Sequence, residues 1–145
     1  SDDFTLQLWV VGSRGGEALR QPKCVGRMTG HQALVNMVCF SPDQGYIASA
    51  SFDKSVRLWD GHTGRYLCVF RQHVGVVYQV AWSSDSRLLL SSSRDSTLKV
   101  MDVARRKLKA DLPGHADEVY GIDWSPDGRR VVSGGKDCAV KFWHN

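Results

Sequence analysis

The feature of this sequence that most constrains its fold is an internal repeat with a period of 42 residues. His31, His73 and His115 stand at this spacing. Four further columns keep the same step: Ser49, Ser91 and Ser133; Asp53, Asp95 and Asp137; Phe40, Trp82 and Trp124; and Trp59, Met101 and Trp143. A repeat of this length is one supersecondary unit that cannot bury its apolar face alone. The sequence therefore predicts a stack of similar units, each packed against its neighbours.

Each unit has the pattern of short β-strands separated by tight turns. Pro42, Pro126 and Gly128 lie where the chain has to reverse, and a reversal needs a fixed or a positive φ. No stretch shows a sustained helical period of apolar residues, so the chain is expected to be all-β. The predicted first strands are 35–40, 77–82 and 119–124, the second 46–51, 88–93 and 130–134, the third 56–59, 98–101 and 140–143, with a fourth strand at 66–70.

Dipeptides at fixed positions make the pattern specific. Gly30-His31 and Gly114-His115 precede first strands, and Trp59-Asp60 closes a third strand. At a spacing within the roughly 40–45 residues of a propeller blade, these pairs resemble the Gly-His and Trp-Asp marks of the WD-repeat β-propeller family. The resemblance implies an all-β WD-repeat β-propeller fragment, with three four-stranded blades plus one extra N-terminal strand. It also implies that the ring is not closed, because closed propellers have about four to eight blades.

The expected boundaries of the repeats follow from the same register. Asp3 and Trp9 have the separation of a repeat aspartate and its tryptophan, which places a third strand at the start of the chain. The expected units are 1–29, with the leftover third strand of a preceding blade, a Gly-rich loop and an outer strand; 30–71 and 72–113, each a WD repeat; and 114–145, a final partial repeat ending at its third strand.

The resemblance assigns the recurring polar residues to a buried hydrogen-bonded network within each blade. Met101 occupies the tryptophan column, so the middle unit lacks an indole donor, and Gln72 replaces the glycine before the histidine. His, Ser and Asp are also the residue types of a nucleophilic triad, but a triad occurs once and this set recurs, so the structural role is predicted. The expected members are His31, Ser49, Asp53, Trp59, His73, Ser91, Asp95, His115, Ser133, Asp137 and Trp143.

The resemblance also implies a partner-binding face. In WD repeats, exposed positions shortly after the repeat histidine and directly before the repeat aspartate often contact partners. Aromatic residues interleaved with Arg and Lys have the composition of interface hot spots. The alternative is that the aromatic side chains are partly buried around the central channel. The positions in this chain are Leu34, Asn36, Phe52, Val76, Tyr78, Arg94, Glu118, Tyr120 and Lys136.

Several classes of function find no support in the sequence. No Gly-rich phosphate loop opens a helix, no acid pair stands out as an acid/base couple, and no Cys-x-x-Cys pair is present, so no enzyme, cofactor or metal site is expected. The four cysteines are expected to be reduced and mostly buried. No window approaches the roughly 18 apolar residues of a membrane span, so no membrane partner is expected. The net charge is +4, and the cluster at 105–109 is either a solvated turn or a phosphate contact.

Longer stretches resemble the C-terminal repeats of the Notchless family, eukaryotic propeller proteins of large ribosomal subunit assembly. They include residues 28–34, MTGHQAL, and the distinctive residues 112–120, LPGHADEVY. The resemblance implies a non-enzymatic scaffold of 60S biogenesis in the nucleus and nucleolus, with pre-60S ribosomal proteins as partners and ribosomal RNA as a further candidate. It also implies contact with a Midasin-type AAA ATPase through a domain absent from this chain. The alternative function is a substrate-recruiting WD propeller of a ubiquitin ligase or signalling complex.

An unclosed ring has open flanks with apolar surface and unpaired strand edges. Such edges pair with other chains unless something blocks them. The isolated chain is therefore expected to self-associate, most simply as a two-fold dimer, with an open monomeric arc as the alternative.

Overall fold

The computed structural model of the protein describes residues 3–12 and 21–144. Within these residues there are β-strands and turns but no helix. Most of the predicted Gly-rich loop, residues 13–16, lies outside them. The strands are β1 (Leu6–Val10), β2 (Lys23–Met28), β3 (Val35–Phe40), β4 (Tyr46–Ser51), β5 (Val56–Asp60), β6 (Tyr66–Phe70), β7 (Val77–Trp82), β8 (Leu88–Ser93), β9 (Thr97–Asp102), β10 (Lys107–Pro113), β11 (Val119–Trp124), β12 (Arg130–Gly135) and β13 (Val140–His144).

The strands form antiparallel sheets that follow one another along the chain. β3 to β6 form one four-stranded sheet, and β7 to β10 form a second. β11 to β13 form a sheet with three strands among the described residues, and the leftover strand β1 pairs with the outer strand β2. The all-β class and the open, blade-like sheets predicted from the repeat are confirmed.

Turns recur in the same register as the strands. The turns between second and third strands, here called the aspartate turns, are residues 52–55, 94–97 and 136–139. Lys54, Ser96 and Cys138 at their tips have positive φ values of 67°, 69° and 59°. Positive φ costs energy for a residue with a Cβ. The turns between third and fourth strands, residues 61–65 and 103–106, are here called the outer turns.

The apolar core lies in layers between neighbouring sheets. Side chains alternate along each strand, so every sheet presents one face to each neighbour. Leu58 on β5 belongs to one buried cluster with Val77 and Val80 on β7. One repeat further along, Val100 on β9 packs in the same way with Ile122 on β11. Each sheet therefore depends on the next one to cover its apolar face.

The first and last sheets leave part of these faces uncovered. Phe142 on β13 is 76% exposed, whereas Leu58 at the equivalent position of β5 is 1% exposed. At the other end, Val38 and Phe40 on β3 are about half exposed and line a groove of about 250 Å³ beside β1. These two surfaces offer apolar area to a further strand or chain.

The four cysteines are unpaired. Cys39 and Cys68 are half-buried between sheets, but Cys24 and Cys138 are exposed, so the expectation of mostly buried thiols is wrong for these two. Cys138 is exposed because it occupies the tip of an aspartate turn, and Cys24 because it lies on an outer strand.

Candidate partner-binding face

A chain of buried side chains links β4 and β5 to the segment before β3. The indole Nε1 of Trp59 donates to Ser49 Oγ at 2.9 Å, and Ser49 Oγ lies 2.7 Å from His31 Nε2. On the other side of the ring, His31 Nδ1 lies 2.8 Å from Asp53 Oδ2. Because an ionised carboxylate only accepts, Nδ1 carries the proton and Nε2 accepts from the Ser49 hydroxyl. Each of these buried groups therefore has a partner.

Asp53 closes its turn as well as the network. Its Oδ1 accepts from the backbone N–H of Ser55 at 3.0 Å, and its Oδ2 from that of Gln32 at 3.1 Å. Burial alone would raise the pKa of Asp53, but the hydrogen bonds from Ser55, His31 and Gln32 outweigh burial and lower the pKa to about 2. Burial lowers the pKa of His31 and outweighs the opposing effect of Asp53. At neutral pH an ionised aspartate therefore faces a neutral histidine.

The last repeat has the same arrangement. His115 Nε2 lies 2.8 Å from Ser133 Oγ, and His115 Nδ1 lies 2.9 Å from Asp137 Oδ2. Trp143 Nε1 donates to Ser133 Oγ at 2.9 Å. Burial would raise the pKa of Asp137, but hydrogen bonds from the backbone of Ala116 and from His115 lower it to about 2.

The middle repeat keeps the histidine and aspartate but has no indole. His73 Nε2 lies 2.7 Å from Ser91 Oγ, and His73 Nδ1 lies 2.9 Å from Asp95 Oδ2. Met101 is buried at the tryptophan position, and Ser91 Oγ lies 3.5 Å from the backbone oxygen of Lys99. The serine oxygen is therefore less fully satisfied here than in the other two repeats.

The distances among Ser49, His31 and Asp53 are also those of a nucleophilic triad. The burial of the serine therefore decides between a catalytic and a structural role. Ser49 is 0% exposed, and its counterparts Ser91 and Ser133 are 0% and 1% exposed. A nucleophile has to reach the substrate atom that it attacks, and these oxygens are sealed inside the sheets. Burial therefore favours a structural role for these serines in the hydrogen-bonded network.

One cation in each repeat, which was not among the predicted site residues, lies beside the network. Lys99 Nζ pairs with Asp111 Oδ2 at 2.9 Å. Arg57 is 9% exposed and lies over Gly30, where a Cβ would come within 2.7 Å of its Nη1. The backbone of Gly30 has a positive φ of 137°, which favours glycine at this position. Gln72 replaces this glycine in the middle repeat, where Lys99 pairs with Asp111. The basic residue two positions before each residue of the tryptophan column was the available signal.

The predicted partner-binding residues lie beside the aspartate turns. Among them, Asn36 donates a hydrogen bond from its side-chain amide to Val77 O of the neighbouring sheet at 2.7 Å. The same backbone hydrogen bond joins one pair of them in each repeat: Phe52 N to Leu34 O at 2.9 Å, Arg94 N to Val76 O at 2.9 Å, and Lys136 N to Glu118 O at 2.8 Å. These pairs therefore recur at the same end of successive sheets.

Four of the predicted residues meet across two sheets, and we call them the Glu118 cluster. Glu118 Oε2 accepts from the hydroxyls of Tyr78 at 2.7 Å and Tyr120 at 3.1 Å, and Arg94 Nε lies 3.4 Å from Glu118 Oε1. The hydrogen bond to Glu118 raises the pKa of Tyr78 to about 12, and the hydrogen bond from Tyr78 lowers the pKa of Glu118. The two tyrosine ring centroids are 5.1 Å apart. Leu34, Asn36 and Phe52 have no side-chain hydrogen bond to this cluster.

A hollow of about 370 Å³ lies at the same end of the sheets. Val76 and Arg94 line it, together with Lys54 and Val74, which were not among the predicted site residues. Val74 is largely exposed, and its backbone N–H donates to Asp95 Oδ2 at 3.1 Å, which fixes this loop to the network. An apolar residue directly after a repeat histidine was the signal for this position.

Residues 3–12 and 21–144 contain neither a metal site nor a membrane-spanning helix. In these ranges no group of three or more His, Cys, Asp or Glu is arranged to hold a metal ion. The same ranges contain no helix with the length and apolar character that a membrane crossing requires.

Repeated antiparallel sheets, aspartate turns and buried His-Ser-Asp links define a sector of a β-propeller built from WD repeats. The family model described as "WD domain, G-beta repeat" matches residues 22–60, 64–102 and 106–144. The chain belongs to the WD40 repeat family.

Individual relatives are similar over about half of the chain. It is 64% identical over 75 residues to "Notchless protein homolog" of Arabidopsis thaliana, and 60% over 70 residues to "Ribosome assembly protein 4" of Saccharomyces cerevisiae. These matches cover 52% and 48% of this chain but only 14% and 12% of the relatives. The resemblance to WD repeats of the Notchless type is confirmed. Among solved structures, the "Crystal structure of RRP9 WD40 repeats" is similar, with a TM-score of 0.77 and 28% identity over 81% of this chain and 37% of that one.

The lowered pKa values predict that acid destabilises the fold. His31 is held neutral, whereas an unfolded histidine gains a proton below about pH 6.5, so stability should fall as the pH drops below that value. The pKa values of Asp53 and Asp137 are about 2, against 3.8 for an unfolded aspartate. Their contribution, fully present above about pH 4, should be lost between about pH 4 and pH 2.

Urea unfolding followed by tryptophan fluorescence at a series of pH values measures this dependence. The matched variant is Asp53→Asn, which removes one of the depressed pKa values and should show a shallower loss below about pH 4. A free energy of unfolding that stays constant between about pH 6 and pH 3 would contradict the account of the network.

Proposed function

We propose that this protein is a non-enzymatic interaction scaffold of large (60S) ribosomal subunit biogenesis and acts as part of a Notchless-like propeller. The names of the two relatives, one a Notchless homolog and the other a ribosome assembly protein, support this assignment. The nucleus and nucleolus are the proposed location, because large-subunit precursors are assembled there.

The observation that carries the scaffold role is the Glu118 cluster. Its carboxylate is engaged by two hydroxyls and a guanidinium, so the cluster is held in one arrangement before any partner arrives. The Arg94 side chain nevertheless stays 64% exposed, and Tyr120 is also exposed. Exposed aromatic and arginine side chains that are already ordered lose little conformational entropy on binding.

The proposed partner-binding face comprises this cluster, the hollow beside Val74 and the remaining predicted positions of the first and last repeats. Pre-60S ribosomal proteins are the proposed partners, with ribosomal RNA as a second class. A Midasin-type AAA ATPase is proposed to contact a domain outside these 145 residues. No catalytic step is proposed at the triad-like sets, because their serines are sealed from solvent.

Replacing Arg94 and Lys136 by glutamate should detach the full-length protein from large-subunit precursors. Both side chains are exposed beside Glu118, so two added acids would repel the existing carboxylate and reverse the charge that the partner meets. Co-sedimentation of the tagged protein with precursor particles in a sucrose gradient measures the effect, with mass spectrometry of the co-purified proteins.

The control is the double variant Arg87→Glu and Arg129→Glu, which changes charge equally in exposed turns away from the aspartate turns. It should co-sediment like the unaltered protein. Equal loss in both variants would count against the face, and an unaltered protein that never co-sediments with large-subunit precursors would overturn the proposed function.

We also propose that the isolated chain self-associates through its uncovered flanks. β1 has β2 on one side and no strand on the other among the described residues, and Phe142 is exposed at the opposite flank. Light scattering at several concentrations should give a dimer mass that dissociates on dilution, and removal of residues 1–11 should weaken the association. A monomer mass at every concentration would mean that the chain is an open arc.

A further inference from the structure

The positive charge of the protein is concentrated along its outer strands and the turns that lead into them. Residues 21–29, 60–71 and 102–113, which contain β2, β6 and β10, hold eight Lys and Arg against three Asp. Because the whole chain is only +4, the rest of it is slightly acidic in sum. One of the three acids, Asp111, already pairs with the buried Lys99 at 2.9 Å.

Six of these cations, here called the basic edge, lie on β2, in the outer turns or at the first residue of β10. β5 and β9 each run from an aspartate turn to an outer turn, so the two kinds of turn lie at opposite ends of the sheets. The outer turns are thus a strand's length away from the proposed partner-binding face. The basic edge consists of Lys23, Arg27, Arg65, Arg105, Arg106 and Lys107.

Most of the basic edge has no acidic partner. Arg27 pairs with Asp3 at 3.0 Å, and Arg105 lies 4.0 Å from Asp102. The other four cations make no ion pair within the described residues, and all six are exposed. A row of exposed cations without carboxylates favours binding of a polyanion.

A groove of about 270 Å³ opens in the basic edge, between β2 and the outer turn before β6. Arg27 and Arg65 line it together with Trp59 and Tyr66. Tyr66 is 50% exposed, and its ring meets Trp59 edge-on with centroids 5.9 Å apart. The guanidinium of the buried Arg57 lies 5.7 Å from the centre of the Tyr66 ring. An exposed ring held in place beside arginines can serve as a stacking platform for a nucleic-acid base.

Arg106 extends this site to the next sheet. Although it belongs to the outer turn before β10, its Nη1 donates to the backbone oxygen of Leu67 in β6 at 3.4 Å. Cations from three successive sheets, Arg27, Arg65 and Arg106, therefore surround the segment that carries Tyr66. A single chain with evenly spaced negative charges could contact all three.

We propose that the basic edge binds single-stranded RNA, with backbone phosphates on Arg27, Arg65 and Arg106 and one base stacked on Tyr66. Charge alone would also suit an acidic protein segment. A nucleotide, however, presents a phosphate and a flat ring together, and that pair matches arginines around an exposed aromatic ring. Only the choice of RNA over DNA rests on the proposed function in ribosome assembly.

Fluorescence anisotropy with a labelled single-stranded RNA of about 20 nucleotides and mixed sequence, at several salt concentrations, tests the proposal. The double variant Arg65→Gln and Arg106→Gln should bind more weakly. It should make the slope of log affinity against log salt less steep by about 1.4, because each phosphate contact to a single strand contributes about 0.7. The matched control, Arg71→Gln and Arg129→Gln, removes two other exposed cations and should leave the slope unchanged.

The stacking step has its own pair of variants. Tyr66→Ala should weaken RNA binding about tenfold or more, because it removes the surface on which the base stacks. Tyr66→Phe keeps the ring and should bind like the unaltered chain. Circular dichroism during heating checks that each variant is folded, and the charge variants still decide the matter if Tyr66→Ala is not.

Three results would overturn the proposal: equal loss in the two double variants, unchanged binding by folded Tyr66→Ala, or a poly-glutamate peptide that binds as tightly as the RNA and displaces it. The last result would assign the basic edge to an acidic protein. Co-sedimentation with large-subunit precursors is measured separately. If it persists when RNA binding fails, only the RNA site is lost, and if it fails while RNA binding persists, only the function in ribosome assembly is lost.

Discussion

At each aspartate turn, a buried carboxylate accepts hydrogen bonds from a histidine ring and from two backbone amides. In the first complete sheet these donors are His31, Gln32 and Ser55, and together they outweigh the cost of burying the charge of Asp53. The same carboxylate thus fixes the turn between two strands and the loop that leads into a third. The proposed partner-binding residues stand directly beside these turns and loops, so their positions depend on this interaction.

Because the sheets stack, residues of neighbouring repeats together form surfaces that no single repeat contains. The Glu118 cluster draws Tyr78 from one sheet and Tyr120 from the next, and the groove at Tyr66 lies between β2 and the following sheet. The two ends of the sheets consequently carry different chemistry. Aromatic residues around an engaged acid mark the aspartate-turn end, and exposed arginines around Tyr66 mark the outer-turn end.

The repeat register predicted the strands and the pairing of each histidine with its aspartate closely, because both depend on contacts within one unit. The predicted strand at 35–40 has the bounds of β3, for example. β10 was not singled out, because KLKADLP mixes charges with a proline and lies on an exposed edge. The joint engagement of Glu118 by Tyr78 and Tyr120 depends on how two sheets stack. The different surroundings of Arg57 and Lys99, at equivalent positions, depend on whether the neighbouring outer strand supplies an acid such as Asp111.

The central claim is that the repeat aspartates hold the blades together, and the free energy of unfolding of Asp53→Ala tests it most directly. The control is Asp123→Ala, which removes an exposed aspartate whose carboxylate accepts from the backbone N–H of Trp124. Loss of Asp53 leaves His31 and two backbone amides without their acceptor, so the variant should lose about 1–3 kcal/mol for each buried group left unpaired. The control should change by about 0.5 kcal/mol or less. Equal stability of the two variants would contradict the account.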